Sequence, residues 1–332
     1  MSVIVVGHGP EPMLPACLRA VIRQLGDRDE LVLVDHGIRA LPEVDQLRVV
    51  TPSFNSGFGG GCATGAEATV GDVLVFINSD AIVQVGAIAA LAEAVQRDEV
   101  GLAGGLVLLA NDPDRVDSAG LPVHLTGLSW CHGFGEPATN HQEGRSIASV
   151  AGALFACRRE VWELLGGMDE SYFMYHEDTD LSLRCHLAGL DVVLVPTALA
   201  THDHDFSRNA RKMFLLERNR FLTVLADFPT HLLLRTLPVL VLLEPMYLLV
   251  AARDGWAVEK VRTWMWLLRH PRIIRDRRRR VQAQVRSPLA LDDLLTPTVS
   301  QTQLEVPPAM ALLNRVLALY WTLARPRARI AP

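Results

Sequence analysis

VLVFINSD, residues 73–80, is a short apolar run that stops on Asn78, Ser79 and Asp80. An uninterrupted apolar run of this length, rich in Val, Ile and Phe, predicts a strand buried on both faces. The Asx-rich stop predicts that its carboxyl end opens into a loop. Upstream the pattern recurs. Residues 2–6 (SVIVV) close on Gly7-His8-Gly9-Pro10, residues 31–34 (LVLV) close on Asp35-His36-Gly37, and residues 47–50 form a further short run. Residues 13–24 and 86–96 carry helical patterning, residues 57–68 a small-residue helix, and residues 102–109 read as a strand. This alternation predicts an α/β fold, a mostly parallel sheet with helices on both faces. In such sheets ligands lie beyond the carboxyl ends of the strands, where Asp35 and Asp80 both fall. Residues 111–145 are rich in Gly, Pro and His without clear period, which predicts a loop-rich insertion or short hairpin near the site. Helices are expected at 158–165 and 178–188, with a strand at 192–195.

Composition narrows the classes. The chain has 332 residues, 49% of them hydrophobic, enough for a large core. The expectation is one catalytic domain over 1–228 and a helical, Arg-rich appendage over 229–332. A net charge of -5 carries no nucleic-acid footprint. Cys17, Cys62, Cys131, Cys157 and Cys185 are scattered, without a C-x-x-C pair, so neither a zinc site nor a disulfide framework is expected. The first strand begins at once, without a basic leader, which predicts a cytoplasmic chain.

Several strand ends carry chemistry. Asp80 suits a hard divalent cation, Mg²⁺ or Mn²⁺, held against the phosphates of a diphosphate-bearing donor; it equally suits a turn. Asp35 could accept from a base imide or a ribose hydroxyl, or simply close its own turn. Asn55 and Gly57-Phe58-Gly59-Gly60-Gly61 open a helix whose N-terminus favours an anion. The run follows the third strand and lacks the full dinucleotide fingerprint, so an NAD site is disfavoured. In GGMDESYFMYHEDTDLSLR, residues 166–184, Glu177, Asp178 and Asp180 crowd a helix start. Acids stabilise such a terminus, but that does not account for the aromatic loop before them, whose walls would tune a general base. His202 and His204 follow the last strand. His202 paired with Asp80 would make a metal ligand; a solvated His is the alternative.

Taken in order, VIVV (3–6), LVLVDHG (31–37), NSGFGGG (55–61), FINSD (76–80), VAGALFACRR (150–159), residues 166–184, VPTALATH (195–202) and ERNR (217–220) resemble family 2 glycosyltransferases of the GT-A fold, particularly the bacterial rhamnosyltransferase-like branch. The resemblance spans about residues 2–225. It implies an inverting, metal-assisted transfer from a dTDP- or UDP-sugar, L-rhamnose first, to a hydroxyl on a lipid-linked glycan or other glycoside. It implies Asp178 as catalytic base with Glu177 as runner-up, and Asp80 and His202 on the metal. Gly7, His8, Asp35, Asn55, Gly57, Phe58, Asn78 and Asp80 then fall on the donor side, and Gly152, Ala153 and Tyr175 on the acceptor side. The chain departs from the family at Gly7-His8-Gly9-Pro10, at Asp35-His36-Gly37-Ile38, at Asn78-Ser79-Asp80 and at Cys62, positions that bear on the donor. Rival classes are a nucleotide-sugar-binding protein without turnover and a sugar nucleotidyltransferase. The second would want a basic Gly-rich loop after the first strand, and residues 7–10 contain no Lys or Arg.

Beyond residue 229 the character changes. Residues 232–252 are very apolar but hold Arg235, Pro238, Glu244 and Pro245, which predicts a hairpin of helices, buried or interfacial, rather than a bilayer span. Trp264, Trp266 and Leu267 precede Arg269, Arg272, Arg275 and the run 277–280. That pattern reads either as a peripheral contact with the inner face of the plasma membrane or as a solvated helix with packing tryptophans. A subunit contact in a homo-oligomer is a further expectation for the apolar stretch.

Overall fold

The computed structural model describes residues 1–41, 44, 46–203, 209–300 and 308–325. The β-branched runs become strands because both of their faces are covered. β1 (Ser2–Gly9), α1 (Leu14–Ile22), β2 (Glu30–Ile38), β3 (Leu47–Val50), α2 (Gly57–Glu67) and β4 (Val73–Asn78) form a parallel half-sheet ordered β3-β2-β1-β4. Side chains on β1 alternate between two cores. Val3 and Val5 pack with Leu14 and Leu18 of α1, and Ile4 and Val6 pack with Cys62 and Ala66 of α2. Each fully buried aliphatic side chain contributes about 1.5–3 kcal/mol, which makes this alternation the main determinant of register.

The second half is mixed. β5 (Ala81–Val83), α3 (Ala87–Ala94), β6 (Val100–Leu109), β7 (Asp112–Ser118), β8 (Arg145–Ser146), β9 (Leu154–Arg158), α4 (Arg159–Leu165), α5 (Glu177–Leu187) and β10 (Asp191–His202) follow. β9 enters antiparallel between β4 and β6, while β6 and β10 run parallel over their length. The α/β class therefore holds, with antiparallel β9, β5, β7 and β8 added to the expected parallel strands. β7 turns back on β6 and makes the expected hairpin.

The glycines of α2 serve packing. A Cβ at Gly65 would stand 2.4 Å from Ile4, and one at Gly61 2.5 Å from Val6. The small-residue helix is thus what lets α2 lie close on β1.

The remaining helices are α6 (Ala210–Asp227), α7 (Thr230–Arg253), α8 (Ala257–Arg269), α9 (Pro271–Ala283), α10 (Ala290–Leu294) and α11 (Pro308–Ala324). All of them except α8 share a third core with α5, in which Leu183 and Leu187 meet Val224, Phe228, Leu232 and Leu243. The expected helical hairpin within residues 232–252 is not formed. α7 runs unbroken through Pro238 and Pro245, and the turn comes at residues 254–256. Each proline frees the carbonyl four residues back, on Leu234 and Val241. Both residues are exposed, so water can satisfy what the prolines release. α7 is long and apolar enough to cross a membrane. Its two interior charges are used within the protein. Arg235 pairs with Asp292 at 2.9 Å, and Glu244 pairs with Arg220 at 2.6 Å and Lys260 at 2.9 Å.

The arginine run does not present one solvent face either. Arg277 is buried against Asp169, Asp180 and Asp227. Arg278 donates to the carbonyls of Leu225 and Phe228, both at 2.8 Å, at the end of α6.

Candidate active site

The carboxyl ends of β1, β2 and β4 meet the start of α2. At the β1 end the register to β2 shifts between Gly7 and Gly9. His8 Nδ1 lies 2.7 Å from the His36 carbonyl and 3.3 Å from Asn55 Nδ2. Asp35 Oδ1 accepts from the N–H groups of Gly37 (2.8 Å) and Ile38 (2.6 Å), so the turn reading of this acid is realised. Its second oxygen has no hydrogen bond from the described residues. Asn55 Oδ1 accepts from Gly57 N at 2.8 Å. Gly57 has φ +78°, and a Cβ there would fall 1.8 Å from the Phe173 carbonyl, so only glycine fits. Phe58 N–H donates to that same carbonyl at 2.8 Å. The Gly-rich run is thereby tied to the aromatic loop at residues 171–176.

Asp80 follows β4, is 37% exposed, and lies 3.3 Å from His202 Nε2 at the end of β10. His202 Nδ1 lies 2.8 Å from Asp117 of β7. Burial disfavours the charged ring, but Asp117 and Asp80 outweigh it and push the His202 pKa up to about 10. The expected Asp80–His202 pair is therefore formed. Asp117 is a third member without a signal in the sequence, since it sits in a stretch without period. His204 lies outside the described residues. Ser79 donates to Glu11 at 3.0 Å, which fixes the turn between Asn78 and Asp80.

Glu177 and Asp178 begin α5 and stand in different surroundings. Asp178 is partly exposed. Its Oδ2 accepts from Gly152 N (2.9 Å) and its Oδ1 from Thr179 N (2.7 Å). Burial raises its pKa above the usual carboxylate range, against the pull of those N–H groups. Glu177 is 5% exposed, and its Oε2 has no hydrogen-bond partner among the described residues. Burial first, and then the neighbouring Asp178, push its pKa well above the usual glutamate value, which disfavours its charged form. Asn78 N–H donates to the Ala153 carbonyl at 3.1 Å, which joins the end of β4 to the Gly152 segment. A Cβ at Gly152 would come within 3.3 Å of the Phe58 ring and 3.5 Å of Asp178 Oδ2. Phe58, expected on the donor side, thus stands beside Gly152 and Asp178.

The loop before α5 is strained. Phe173, Tyr175 and His176 all have positive φ (63°, 69° and 67°). Such residues cost of order 1–3 kcal/mol each and persist only where their surroundings hold them. Here α6 holds them. Asn219 Nδ2 reaches the carbonyls of Tyr172 (3.0 Å), Met174 (2.8 Å) and Tyr175 (2.7 Å). Arg218 Nη2 donates to the carbonyls of Ser171 (2.9 Å) and Tyr172 (2.8 Å). The ERNR motif was visible in the sequence, but its work on this loop was not. Tyr175 lies half-buried, with Lys212 Nζ 5.6 Å from its ring centroid. Asp180, the third acid of the cluster, faces inward. Arg184 donates to it at 2.6 Å, and Arg277 also pairs with it. Its role is structural.

Acids at the strand ends of a mixed α/β sheet, with an acidic helix start joined to β4 through the Gly152 segment, fit a GT-A-type glycosyltransferase. The sequence model described as Glycosyltransferase like family 2 matches residues 1–233. The chain belongs to that family. It is 34% identical over 153 residues to the O-antigen biosynthesis protein RfbC of Myxococcus xanthus, an alignment that covers 44% of this chain and only 12% of that relative. It is 27% identical over 234 residues to the N-acetylglucosaminyl-diphospho-decaprenol L-rhamnosyltransferase of Mycobacterium tuberculosis, covering 61% and 75% of the two chains. Its fold is similar to GalNAc-T7 solved with UDP, GalNAc and Mn²⁺ (TM-score 0.55, 18% identity, 69% of this chain and 48% of that one). It is also similar to S. aureus TarS 1-349 in complex with UDP (TM-score 0.52, 13% identity, 97% and 89%).

Proposed function

We propose that the chain transfers a sugar with inversion, using Asp178 as the general base. The carrying observation is the split within the acid pair. Asp178 is partly exposed and held in place by the N–H groups of Gly152 and Thr179, whereas Glu177 is buried with Oε2 unpartnered among the described residues. Asp178 takes the proton from an acceptor hydroxyl, whose oxygen attacks the anomeric carbon from the face opposite the leaving nucleoside diphosphate. The unused oxygen of Asp35 is available to a pyrimidine imide or a ribose hydroxyl. Similarity to the mycobacterial enzyme and to UDP-bound folds favours a dTDP- or UDP-linked donor, with L-rhamnose the first candidate. The same similarity favours a hydroxyl on a lipid-linked or other envelope glycan as acceptor, and action at the cytoplasmic face of the membrane.

Asp80 and His202 fit a divalent cation, Mn²⁺ or Mg²⁺. The Nδ1 of His202 engages Asp117, the outer-shell partner that a metal-binding imidazole commonly has, and Nε2, which faces Asp80, would give up its proton on binding the cation. Among the described residues no three His, Cys, Asp or Glu side chains form a complete cage. The cation's other ligands would be donor phosphates and water. Such a cation would neutralise charge on the departing diphosphate.

Asp178→Asn tests the base. Transfer should fall by about 10²–10⁴-fold while donor affinity by calorimetry stays near wild type. Near-normal turnover would return the role to Glu177, and a retained anomeric configuration in the NMR spectrum of the product would overturn inversion. Excess EDTA should stop transfer and Mn²⁺ should restore it, with Asp80→Ala weakening Mn²⁺ binding directly in a paramagnetic titration. Full activity in EDTA would remove the cation from the reading.

A further inference from the structure

Outside the active site, α8 exposes an apolar face. Val258, Val261, Met265 and Leu268 recur at spacings of three and four, so they share one face. All four are exposed, Leu268 at 77%. An isolated exposed leucine needs no explanation, but a continuous apolar stripe does. Beside it Phe214 of α6 and Trp266 help to line an apolar groove of about 580 Å³, rimmed by Arg262, Arg269 and His270. On the next helix Arg272, Arg275, Arg279 and Arg280 are exposed, Arg280 within 3.3 Å of Asp169. The only acidic side chain exposed on α8 and α9 is Asp276.

We infer that α8 and α9 dock on an anionic phospholipid surface, with the α8 stripe entering the interface and the exposed arginines meeting headgroup phosphates. The charge excess selects this occupant. Arg275 and Arg279 share the single Asp276, at 3.8 and 3.7 Å, and Arg280 lies 3.3 Å from Asp169, so positive charge still exceeds negative on this face; a second copy of this chain would bring that excess face to face, whereas anionic lipid neutralises it. The arginines divide by burial. Arg277 and Arg278 are committed to Asp169, Asp180 and the end of α6, and take no part. Docking here leaves α7 on the protein. Crossing the bilayer would take Glu244 away from Arg220 and Lys260 and strand those buried charges. The surface also connects to the active site. The Arg218 guanidinium lies 5.4 Å from the Trp266 ring centroid in the groove wall, and the same side chain holds the loop before Asp178. The inference does not depend on the identity of donor or acceptor.

Flotation of the full chain with vesicles of phosphatidylcholine alone, and of phosphatidylcholine with phosphatidylglycerol, tests it at low and high salt. Recovery should require phosphatidylglycerol and fall with salt. Each of Arg272→Gln, Arg275→Gln and Arg279→Gln should weaken binding about fivefold, and Val261→Asn with Leu268→Asn should weaken it on the same vesicles. Circular dichroism checks the fold of each variant, and the salt dependence of the wild type stands without them. Equal recovery on both vesicles, recovery on neither, or recovery that persists in high salt would overturn the inference. So would a concentration-dependent dimer in sedimentation velocity that is lost in the Val261→Asn, Leu268→Asn variant.

Discussion

Asn219 illustrates how a residue far from any ligand can set the chemistry. Its amide holds three carbonyls of a loop containing Phe173, Tyr175 and His176 at positive φ, immediately before Glu177 and Asp178. Removing a buried donor costs about 1–3 kcal/mol, and the strain of the loop has to be released somewhere. Asn219→Ala should therefore lower kcat by roughly 10–100-fold through misplacement of the base, with little change in donor KM. Asn219→Asp should not rescue it, because a carboxylate would face three carbonyl oxygens. Steady-state kinetics well below the melting temperature separate the two effects: unchanged kcat with a lowered melting temperature would make Asn219 a purely structural residue.

At the scale of elements, α9 shows two arginines of one helix with opposite roles. Arg277 is buried among Asp169, Asp180 and Asp227, while Arg279 is 71% exposed beside Asp276. Removing one partner of a buried charge network costs about 3–5 kcal/mol, since the others are left unpaired. Arg277→Gln should lower stability by that amount in urea unfolding, and Arg279→Gln should leave the midpoint unchanged. Equal effects would mean that α9 does not sit against α5 and α6 as described. The network also accounts for Asp180. It lies at a helix start like Glu177 and Asp178, but its neighbours on α9 commit it to the fold.

Across the molecule, a second buried network ties α6, α7 and α8 together through Glu217, Arg220, Glu244 and Lys260. Burial alone would raise the Glu217 pKa, but Arg220 and Lys260 outweigh it and bring the value down to about 2, from 4.5. The unfolded chain therefore binds the proton more readily. The stabilisation from this carboxylate is complete above pH 4.5 and is lost as pH falls through that value towards 2. Urea midpoints measured down this range should decline for the wild type. Glu217→Gln should be less stable at neutral pH and show a shallower decline. An identical slope in both proteins would assign the acid sensitivity to other groups.

The α/β class, the strand ends bearing Asp35 and Asp80, and the acidic helix start at Glu177 and Asp178 were legible in the chain before it folded. Those features are written in local periodicity and in the residues that stop each element. The sequence also carried the ERNR motif without its meaning. Tertiary structure decided the rest. It brought Asp117 of β7 onto His202, placed β9 antiparallel between β4 and β6, and set Phe58 beside Asp178. It kept α7 whole through two prolines and buried Arg277 within a run that reads as uniformly exposed. The physical reason is common to these cases. Whether a charge is solvated or paired, and whether a freed carbonyl meets water, depends on what packs against it from distant parts of the chain.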